Sequence, residues 1–409
     1  MNSLRQRWFG RRVAVVAATV LGCSLGGVFL MAAPAGAATV NVTNNHDSGS
    51  GSLRAALVNA SGSTTINVQA GLGTITLASP IEFPNVNPAS ITMHGNGIKI
   101  DVGGENRGLV SDANSFTFDD FTITGVGGST DADAGAIVAE GGPLNVSNCT
   151  LTGNVVHSID SDGGVLLSEG GPLNVSSCTV TNNTVRTDDG DGGILVSEGG
   201  GLGASKCAVT SNKTDAEGDG ATLLVEGGEF VLSSCDVSHN TVTAGGNLGG
   251  GADSEGGPVT FRNVTVTCNS GASAGGDAAG GLLSEGGSVV ISGSTIVGNV
   301  ATTTDQGIVK NQINSQGPNP SISSSTVSDD TSGCKTGATT TTTVAAPTTT
   351  VAAAPVTEAA APATTVAAAA ELPRTGGSSS ALGLIGCALV ALGALVTYAA
   401  SSQRRRKLA

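Results

Sequence analysis

The chain has 409 residues, and its 32 acidic residues outnumber its 18 basic ones, which gives a formal net charge of −14. No acidic residue lies before Ala38 or after Gly376, so the part between them carries 32 acidic and 10 basic residues, a formal charge of −22. Such a surface repels nucleic acid and other polyanions and favours divalent cations or cationic partners. We therefore expect no nucleic-acid partner.

Residues 1–38 have the layout of a secretory signal peptide. Four arginines between positions 5 and 12 precede an apolar stretch from Val13 to Met31, and small residues follow at positions 35–38. A basic start, an apolar centre and a small-residue cleavage site together direct a chain to export. We expect this segment to be removed and the body to work outside the cell.

A short helix is expected near the start of the exported body, in residues 47–57 (DSGSGSLRAAL). Ser52 is a suitable N-cap residue, and Leu53, Ala56 and Leu57 would share one face of the helix. This apolar face predicts that the helix packs on whatever follows it.

Residues 39–331 are dominated by an internal repeat. A Glu-Gly-Gly triplet recurs at a nearly constant interval, with its glutamate at Glu140, Glu169, Glu198, Glu226, Glu255 and Glu285. Self-similarity at a fixed period of this length is typical of a solenoid. Earlier coils are expected too, because Phe116, Phe118 and Ile123 match Leu144, Val146 and Leu151 one repeat later.

Each repeat contains three short strand-like runs separated by Gly, Ser, Asn and Asp. Apolar residues stand four, six and eleven positions after the repeat glutamate, and residues two apart share a strand face. Helical spacing is missing, and glycine is too frequent for a helix. We predict an all-β fold, a right-handed parallel β-helix with about 28–30 residues per coil. A leucine-rich repeat is the alternative, but the repeat has no helical half.

In such a stack, residues at the same offset from the repeat glutamate form a column with a spacing of about 4.8 Å. Asparagine stands fourteen positions on in every copy and predicts an amide ladder at a turn: Asn154, Asn183, Asn212, Asn240, Asn269 and Asn299. Cysteine stands nine positions on in four copies and faces the core by strand parity: Cys149, Cys178, Cys207 and Cys235. Stacked free thiols and one or two disulfides both fit this spacing.

Acidic residues form paired columns seven and nine positions before the repeat glutamate. They are Asp131, Asp133, Asp160, Asp162, Asp189, Asp191, Glu217 and Asp219. Oxygen-rich clusters flanked by glycine suit Ca²⁺, which takes six to eight oxygen ligands. A solvated acidic turn that only aids solubility is the other interpretation, and both stay open. The repeat glutamate itself is expected to be a turn residue with its side chain in solvent, with a second cation site there as the alternative.

Residues 332–371 are almost entirely Thr, Ala, Val and Pro, a composition that cannot form a core and predicts a disordered stalk. Residues 372–409 follow, with Leu372, Pro373, Arg374, Thr375 and Gly376, then an apolar run from 381 to 400 and a basic tail. The run is about long enough to span a bilayer as a transmembrane helix. An ordinary tail anchor, which would keep this transmembrane helix in the membrane, is the alternative to cleavage at the Leu372–Gly376 motif.

The three-part ending resembles the cell-wall sorting signal of Gram-positive surface proteins, in which sortase cuts LPxTG between Thr and Gly. The resemblance implies that sortase and peptidoglycan are partners, with Thr375 amide-linked to the wall and the membrane occupied only before sorting. The segment at 47–57 and the repeat style resemble bacterial β-helix surface proteins with a pectate-lyase-like solenoid. There, the equivalent segment is a helix that covers the first coil.

Parallel β-helices also include enzymes that act on polysaccharides, but fold does not imply function. The carboxylates here repeat evenly instead of marking one cleft, and Trp8 and Tyr398 lie in the processed ends, so the body has neither aromatic type. We assign no catalytic residue. The prediction is a non-catalytic surface protein for adhesion or envelope structure, which contacts an unidentified surface, glycan or protein. A polysaccharide lyase or hydrolase is the alternative.

Overall fold

The computed structural model describes residues 37–83, 90–304, 307–309 and 312–334. They form an all-β parallel solenoid of about ten turns, of the right-handed type. This confirms the predicted parallel β-helix. Most of the predicted signal peptide, nearly all of the stalk and the whole sorting signal lie outside the described residues.

The first of three sheets has 19 strands, two in most coils. They are Ala38–Val42, Thr64–Val68, Thr74–Thr76, Ser90–Asp101, Ser115–Thr124, Leu144–Ser147, Thr150–Thr152, Leu173–Ser176, Thr179–Thr181, Leu202–Ser205, Ala208–Thr210, Phe230–Ser233, Asp236–Ser238, Val259–Arg262, Thr265–Thr267, Val289–Ser292, Thr295–Val297, Ser321–Ser323 and Thr326–Ser328.

The second sheet has ten strands and contains the residues just before each repeat glutamate. They are Ile81–Phe83, Arg107–Ser111, Gly135–Ala139, Gly163–Ser168, Gly192–Ser197, Gly220–Val225, Leu248–Ser254, Ala278–Ala279, Leu282–Ser284 and Ile313–Ser315. The third sheet has seven: Val155–Ser158, Thr184–Thr187, Lys213–Ala216, Thr241–Ala244, Ser270–Ser273, Val300–Thr303 and Gly307–Val309. The last two of these pair antiparallel, whereas the other pairings between named strands are parallel.

Each regular coil bends twice through a residue with positive φ. One bend lies eight positions after the repeat glutamate, as at Asn148 and Ser177, and the other lies thirteen positions after it, as at Asn182 and Ser211. Short polar residues and glycine at these positions tolerate the left-handed conformation better than branched ones. The strand Val155–Ser158, fifteen to eighteen positions after the repeat glutamate, and its equivalents in the third sheet were not among the three predicted runs, so a regular coil has four strands instead of three.

The register follows the repeat from coil to coil. Leu144 pairs with Leu173, Leu173 with Leu202, and Leu202 with Phe230, as the predicted columns require. The first coils are shorter than the repeat predicts, because Val40 pairs with Ile66 and Ile91 pairs with Phe116, at separations of 26 and 25.

The apolar columns fill a continuous core inside the coils. Near the N-terminal end, Phe116, Phe118 and Phe121 are buried together, and the rings of Phe118 and Phe121 stack at 4.1 Å. A second, separate apolar column lies along the second sheet and is also fully buried: Val138, Leu167, Val196 and Leu224. The second sheet therefore has buried side chains on both faces.

Helix α1 spans Leu53–Val58, and its N-cap Ser52 accepts a hydrogen bond from the Ala55 N–H. Leu53, Ala56 and Leu57 are buried, and they join the main core at its N-terminal end. In the described part of the chain, no helix is long and apolar enough to cross a bilayer.

Candidate functional site

The asparagine column forms a continuous hydrogen-bonded ladder. Asn183 Nδ2 donates to Asn212 Oδ1 at 3.0 Å and to the Leu151 carbonyl at 3.0 Å, while the Asn183 N–H also donates to Asn212 Oδ1. The same pattern repeats at Asn154, Asn212, Asn240 and Asn269. The six amides are at most 2% exposed, so each ties the turn of one coil to the next.

The ladder ends on a residue that the sequence pattern does not reveal. Asn299 Nδ2 donates to Gln312 Oε1 at 2.7 Å, and Gln312 Nε2 donates onward to Asp329. A longer amide thus takes the place of asparagine where the final coil departs from the repeat.

The structure places the cysteine column in the core. Cys149, Cys178, Cys207 and Cys235 are buried and free, and the Sγ atoms of Cys207 and Cys235 lie 2.8 Å apart. A separate disulfide joins Cys268 and Cys334, the two cysteines of the described residues that lie outside this column. It fastens the end of the described chain to a turn 66 residues earlier.

The predicted acidic pairs are split by the structure into two columns with different surroundings. The outer members, nine positions before the repeat glutamate, are exposed: Asp131, Asp160, Asp189 and Glu217. The inner members, seven positions before it, are half-buried: Asp133, Asp162, Asp191 and Asp219. The two members of one pair therefore do not share one environment.

The inner aspartates bind backbone amides of the next coil. The Asp191 N–H donates to Asp162 Oδ1 at 2.7 Å, and the Asp219 N–H donates to Asp191 Oδ1 at 2.6 Å. The column continues with Asn247, whose N–H donates to Asp219 Oδ1. One oxygen of each inner carboxylate is thus satisfied by the main chain.

The repeat glutamates lie in bends directly after strands of the second sheet, as predicted for turn residues, but the expectation that their side chains point into solvent was wrong for most of them. Among the described residues, four of them have a buried Oε1 without a hydrogen-bond partner: Glu169, Glu198, Glu226 and Glu255. Glu140, at the N-terminal end of the column, differs because Arg107 Nη2 lies 2.7 Å from its Oε1.

The glutamate and inner aspartate columns face each other across a groove. Side-chain oxygens of Asp162, Glu198 and Glu226 lie within 4.8 Å of one another. Asp162 precedes the strand Gly163–Ser168, and Glu198 follows the adjacent strand Gly192–Ser197. A straight strand of six residues spans roughly 20 Å. These strands must therefore curve, so that their outer face is concave and their two ends approach each other.

Glycine at the start of each curved strand permits this curvature. A Cβ on Gly193 would lie 2.9 Å from Val196 Cγ2, and one on Gly164 would lie 3.1 Å from the same atom. Side chains there would collide with the second apolar column. The Gly-Gly pairs at 163–164 and 192–193 therefore make room for this column, which forms the floor of the structure that we call the acidic groove. Its two walls are the inner aspartates and the repeat glutamates.

The groove strongly perturbs its carboxyl groups. Burial, followed by the charges of Glu198 and Asp191, raises the pKa of Glu226 to about 10. Burial raises the pKa of Glu198 to about 9, with Asp162 as the largest charge acting on it. The pKa values of Glu169 and Glu255 rise to about 8 and that of Asp191 to about 7, each chiefly through burial.

One residue of the groove breaks the repeat. Asp253 occupies the register position of Leu224 in the preceding coil and of Leu283 in the following one. It is fully buried, and both carboxylate oxygens lack a hydrogen-bond partner among the described residues. The charges that act on it are those of Glu255, Glu285 and Asp219, so this carboxylate lies on the floor with groove walls around it.

This arrangement concentrates oxygen ligands and negative charge without an equal number of cations. Arg107 lies at one end, and it also contacts Glu82 at 3.5 Å. Burying carboxylates is unfavourable unless protons, hydrogen-bond donors or cations neutralise them. The groove can therefore hold protons or bind cations. One sequence signal pointed to the groove. A turn at this position requires the glycines, but it does not require the same glutamate in all six repeats.

A second surface feature lies on the outer face of the first sheet. It is a shallow depression of about 420 Å³ lined by Asn145, Ser147, Asn174, Ser176 and neighbouring residues of the next two coils. Asn174 Nδ2 donates to Asn145 Oδ1 at 3.0 Å along this face. The lining is uncharged, and it offers hydrogen-bonding groups but no acid–base pair.

No protein-family model, no curated protein and no solved structure matches the chain.

Proposed function

We propose that the chain is a non-catalytic surface protein, a stiff β-helical rod that sortase attaches to the Gram-positive cell wall for adhesion or envelope structure. The observation that carries the proposal is the register of the coils in the first sheet, which continues without a shift from Phe116 to Thr295. Equivalent residues pair from coil to coil between Phe116 and Thr295, so the same side chains recur along the rod. Binding along repeated lateral surfaces suits such a molecule.

The uncharged depression supports the same proposal over the enzyme alternative. It lies on the outer face of the first sheet, and its lining includes Asn and Ser side chains that can hydrogen-bond a glycan or a protein surface. Glycoside hydrolysis would need two carboxylates flanking one bond, and lyase chemistry on acidic sugars would need a base with counter-charges. Neither set of residues is among those that line the depression.

The ends of the chain complete the proposal. The signal peptide would export the body, the LPRTG segment with its apolar run and basic tail would hold it for sortase, and the Thr-rich stalk would separate rod from wall. Helix α1 would cover the first coil, because an open coil end exposes a sheet edge to other chains.

Cell fractionation tests the display proposal. Sortase-positive Gram-positive cells that produce the full chain should hold it in the wall, released only by muralytic digestion. Thr375→Ala should shift the protein to membranes or medium, whereas the matched stalk variant Thr348→Ala should leave it in the wall. Wall attachment of Thr375→Ala that survives boiling in detergent would reject the sortase step.

A pair of activity assays separates an adhesin from an enzyme. We expect cells displaying the chain to gain adherence to host or neighbouring cells, and Thr375→Ala cells to lose that gain. We also expect no new reducing ends or unsaturated products when the protein is incubated with neutral and acidic polysaccharides. Steady release of such products would replace the adhesin proposal with the polysaccharide-active alternative.

A further inference from the structure

We propose that the acidic groove is a calcium-binding column, with one site at Asp162, Glu198 and Glu226 and a second around Asp253. This inference is independent of the display function, since it concerns what the folded rod binds and not where the rod is held.

The spacing of oxygens at the first site matches a shared ion. Ca²⁺ lies about 2.3–2.6 Å from its ligands, so two oxygens on one ion are separated by at most about 5 Å. One carboxylate oxygen each of Asp162, Glu198 and Glu226 meets this limit, because the three oxygens all lie within 4.8 Å of one another. Three carboxylates from three successive coils thus converge on one point.

Hydrogen bonding leaves the right atoms available at this point. Asp162 Oδ1 accepts the Asp191 N–H, which fixes the carboxylate in position, and the side chain also lies within hydrogen-bonding distance of Glu198. The Oε1 atoms of Glu198 and Glu226 are buried and without a partner in the described part of the chain. A bound cation would satisfy these oxygens, as donors do elsewhere in the fold.

Asp253 is the independent observation that points to a ligand. At its register position the preceding coils carry Val196 and Leu224, which are fully buried. Replacing leucine by a fully buried carboxylate with two unpartnered oxygens is strongly unfavourable unless a charge of opposite sign compensates it. Glu255, Glu285 and Asp219 surround it, so no compensation comes from these neighbours. An ion would supply it.

The ligand chemistry selects a hard, flexible cation. The converging groups are carboxylates, which favour Ca²⁺ or Mg²⁺ over the softer transition metals. Ca²⁺ accepts irregular sets of six to eight oxygens, whereas Mg²⁺ requires near-ideal octahedral geometry. Three carboxylates on stacked coils cannot move into octahedral positions around one ion without distorting the stacking of those coils. The half-exposed groove walls let water complete the coordination of Ca²⁺.

Calorimetric titration of the metal-stripped, full-length chain in non-ionic detergent tests the proposal. We expect saturable calcium binding, at least a tenfold preference over magnesium, and a melting temperature that rises by 5 °C or more, roughly the shift for a stabilisation of about 1–2 kcal/mol. Sodium chloride at equal ionic strength should give no comparable rise. Protons shared between carboxyls are the competing state, and absence of saturable calcium heat at pH 8 would overturn the proposal in their favour.

Matched variants locate the sites. Glu198→Gln with Glu226→Gln should remove one binding event, whereas Asp160→Asn with Asp189→Asn changes charge equally at exposed positions and should leave binding intact. Asp253→Leu restores the residue type of the adjacent coils and should remove a second event. We expect the Asp253→Leu variant to fold, because leucine already occupies the equivalent position in the adjacent coils, at Leu224 and Leu283. Equal binding by wild type and both groove variants would show that calcium, if bound, lies elsewhere, which contradicts the assignment.

Discussion

The asparagine ladder and the glutamate column are two polar columns of the same coils. They differ in whether their buried polar atoms find hydrogen-bond partners within the protein. Each asparagine both donates and accepts, so Asn183 finds its partners in Asn212 and the Leu151 carbonyl. Each ionised glutamate only accepts, and Glu198 and Glu226 stack without donors for their buried Oε1 atoms. An amide column satisfies its own donors and acceptors, whereas a carboxylate column requires protons or cations from solution.

The inner aspartates show that acceptors can be satisfied when the main chain supplies the donor. Asp162 and Asp191 each take a backbone N–H of the next coil. The glutamate side chain is longer and reaches past the main chain over the apolar floor. The difference between the columns therefore lies in donor supply and not in charge alone.

The largest test of this comparison is pH in the presence of EGTA. Raised pKa values at Glu169, Glu198, Glu226, Glu255 and Asp191 mean that the folded state binds more protons than the unfolded one. This stabilisation is complete below the ordinary carboxyl pKa and is lost as pH rises through about 7 to 10. We expect the free energy of unfolding to fall by about 4 kcal/mol or more between pH 5 and pH 9.

Urea unfolding at a series of pH values measures this loss. Saturating calcium should reduce the slope at high pH, because the ion replaces the protons. A stability profile without calcium that is flat from pH 5 to 9 would mean that the groove carboxyls keep ordinary pKa values.

The next test converts one rung of the amide ladder into a carboxylate. Asn212→Asp keeps the size of the side chain but removes the hydrogens given to the Val180 carbonyl and to Asn240 Oδ1. We expect it to lower the free energy of unfolding by about 3 kcal/mol at pH 7, and by less at pH 4 where the acid can donate. Asn174→Asp, on the exposed sheet face, is the control and should change stability little. Equal effects of the two variants in urea unfolding would show that burial of the ladder does not matter.

The sequence predicted the ladder well because its chemistry depends on register alone. A constant repeat period places Asn154 above Asn183 in any parallel coil, and two amides at the spacing of adjacent strands can only pair. The same reasoning placed Cys149 and Cys178 in the core by strand parity.

The groove could not be predicted in this way because it depends on curvature within a strand. A straight strand would hold Asp162 and Glu169 far apart, and only the bend at Gly163 and Gly164 brings the columns together. Asp253 was missed for a related reason. It breaks the column of Leu224 and Leu283, and a residue that differs from its repeat equivalents leaves no periodic signal.

A third test converts a carboxylate rung into an amide. Glu226→Gln supplies a donor to the acidic groove, so in EGTA at pH 8 we expect the free energy of unfolding to rise by about 2 kcal/mol. Asp189→Asn removes the same charge from an exposed position and is the matched control. If thermal melting shows Glu226→Gln to be less stable than wild type in EGTA, the unsatisfied-acceptor explanation is incorrect.

The smallest test concerns the end of the glutamate column that already has a cation. Arg107 Nη2 lies 2.7 Å from Glu140 Oε1, and Glu140 is about one-third exposed. Arg107→Gln should lower the free energy of unfolding by about 1 kcal/mol, since solvent screens part of the interaction. Arg262→Gln at an exposed site serves as the control. If Arg107→Gln lowers the free energy of unfolding as much as the loss of a fully buried ion pair does, the Glu140 end of the glutamate column is shielded from solvent as well as its middle is.

A crystal structure of the protein grown in calcium is the decisive measurement for the acidic groove. We expect a peak of calcium density between Asp162, Glu198 and Glu226, with carboxylate and water oxygens at about 2.3–2.6 Å, and a second beside Asp253. Clear density showing these carboxyls hydrogen-bonded to one another, with no ion between them at millimolar calcium, would contradict it.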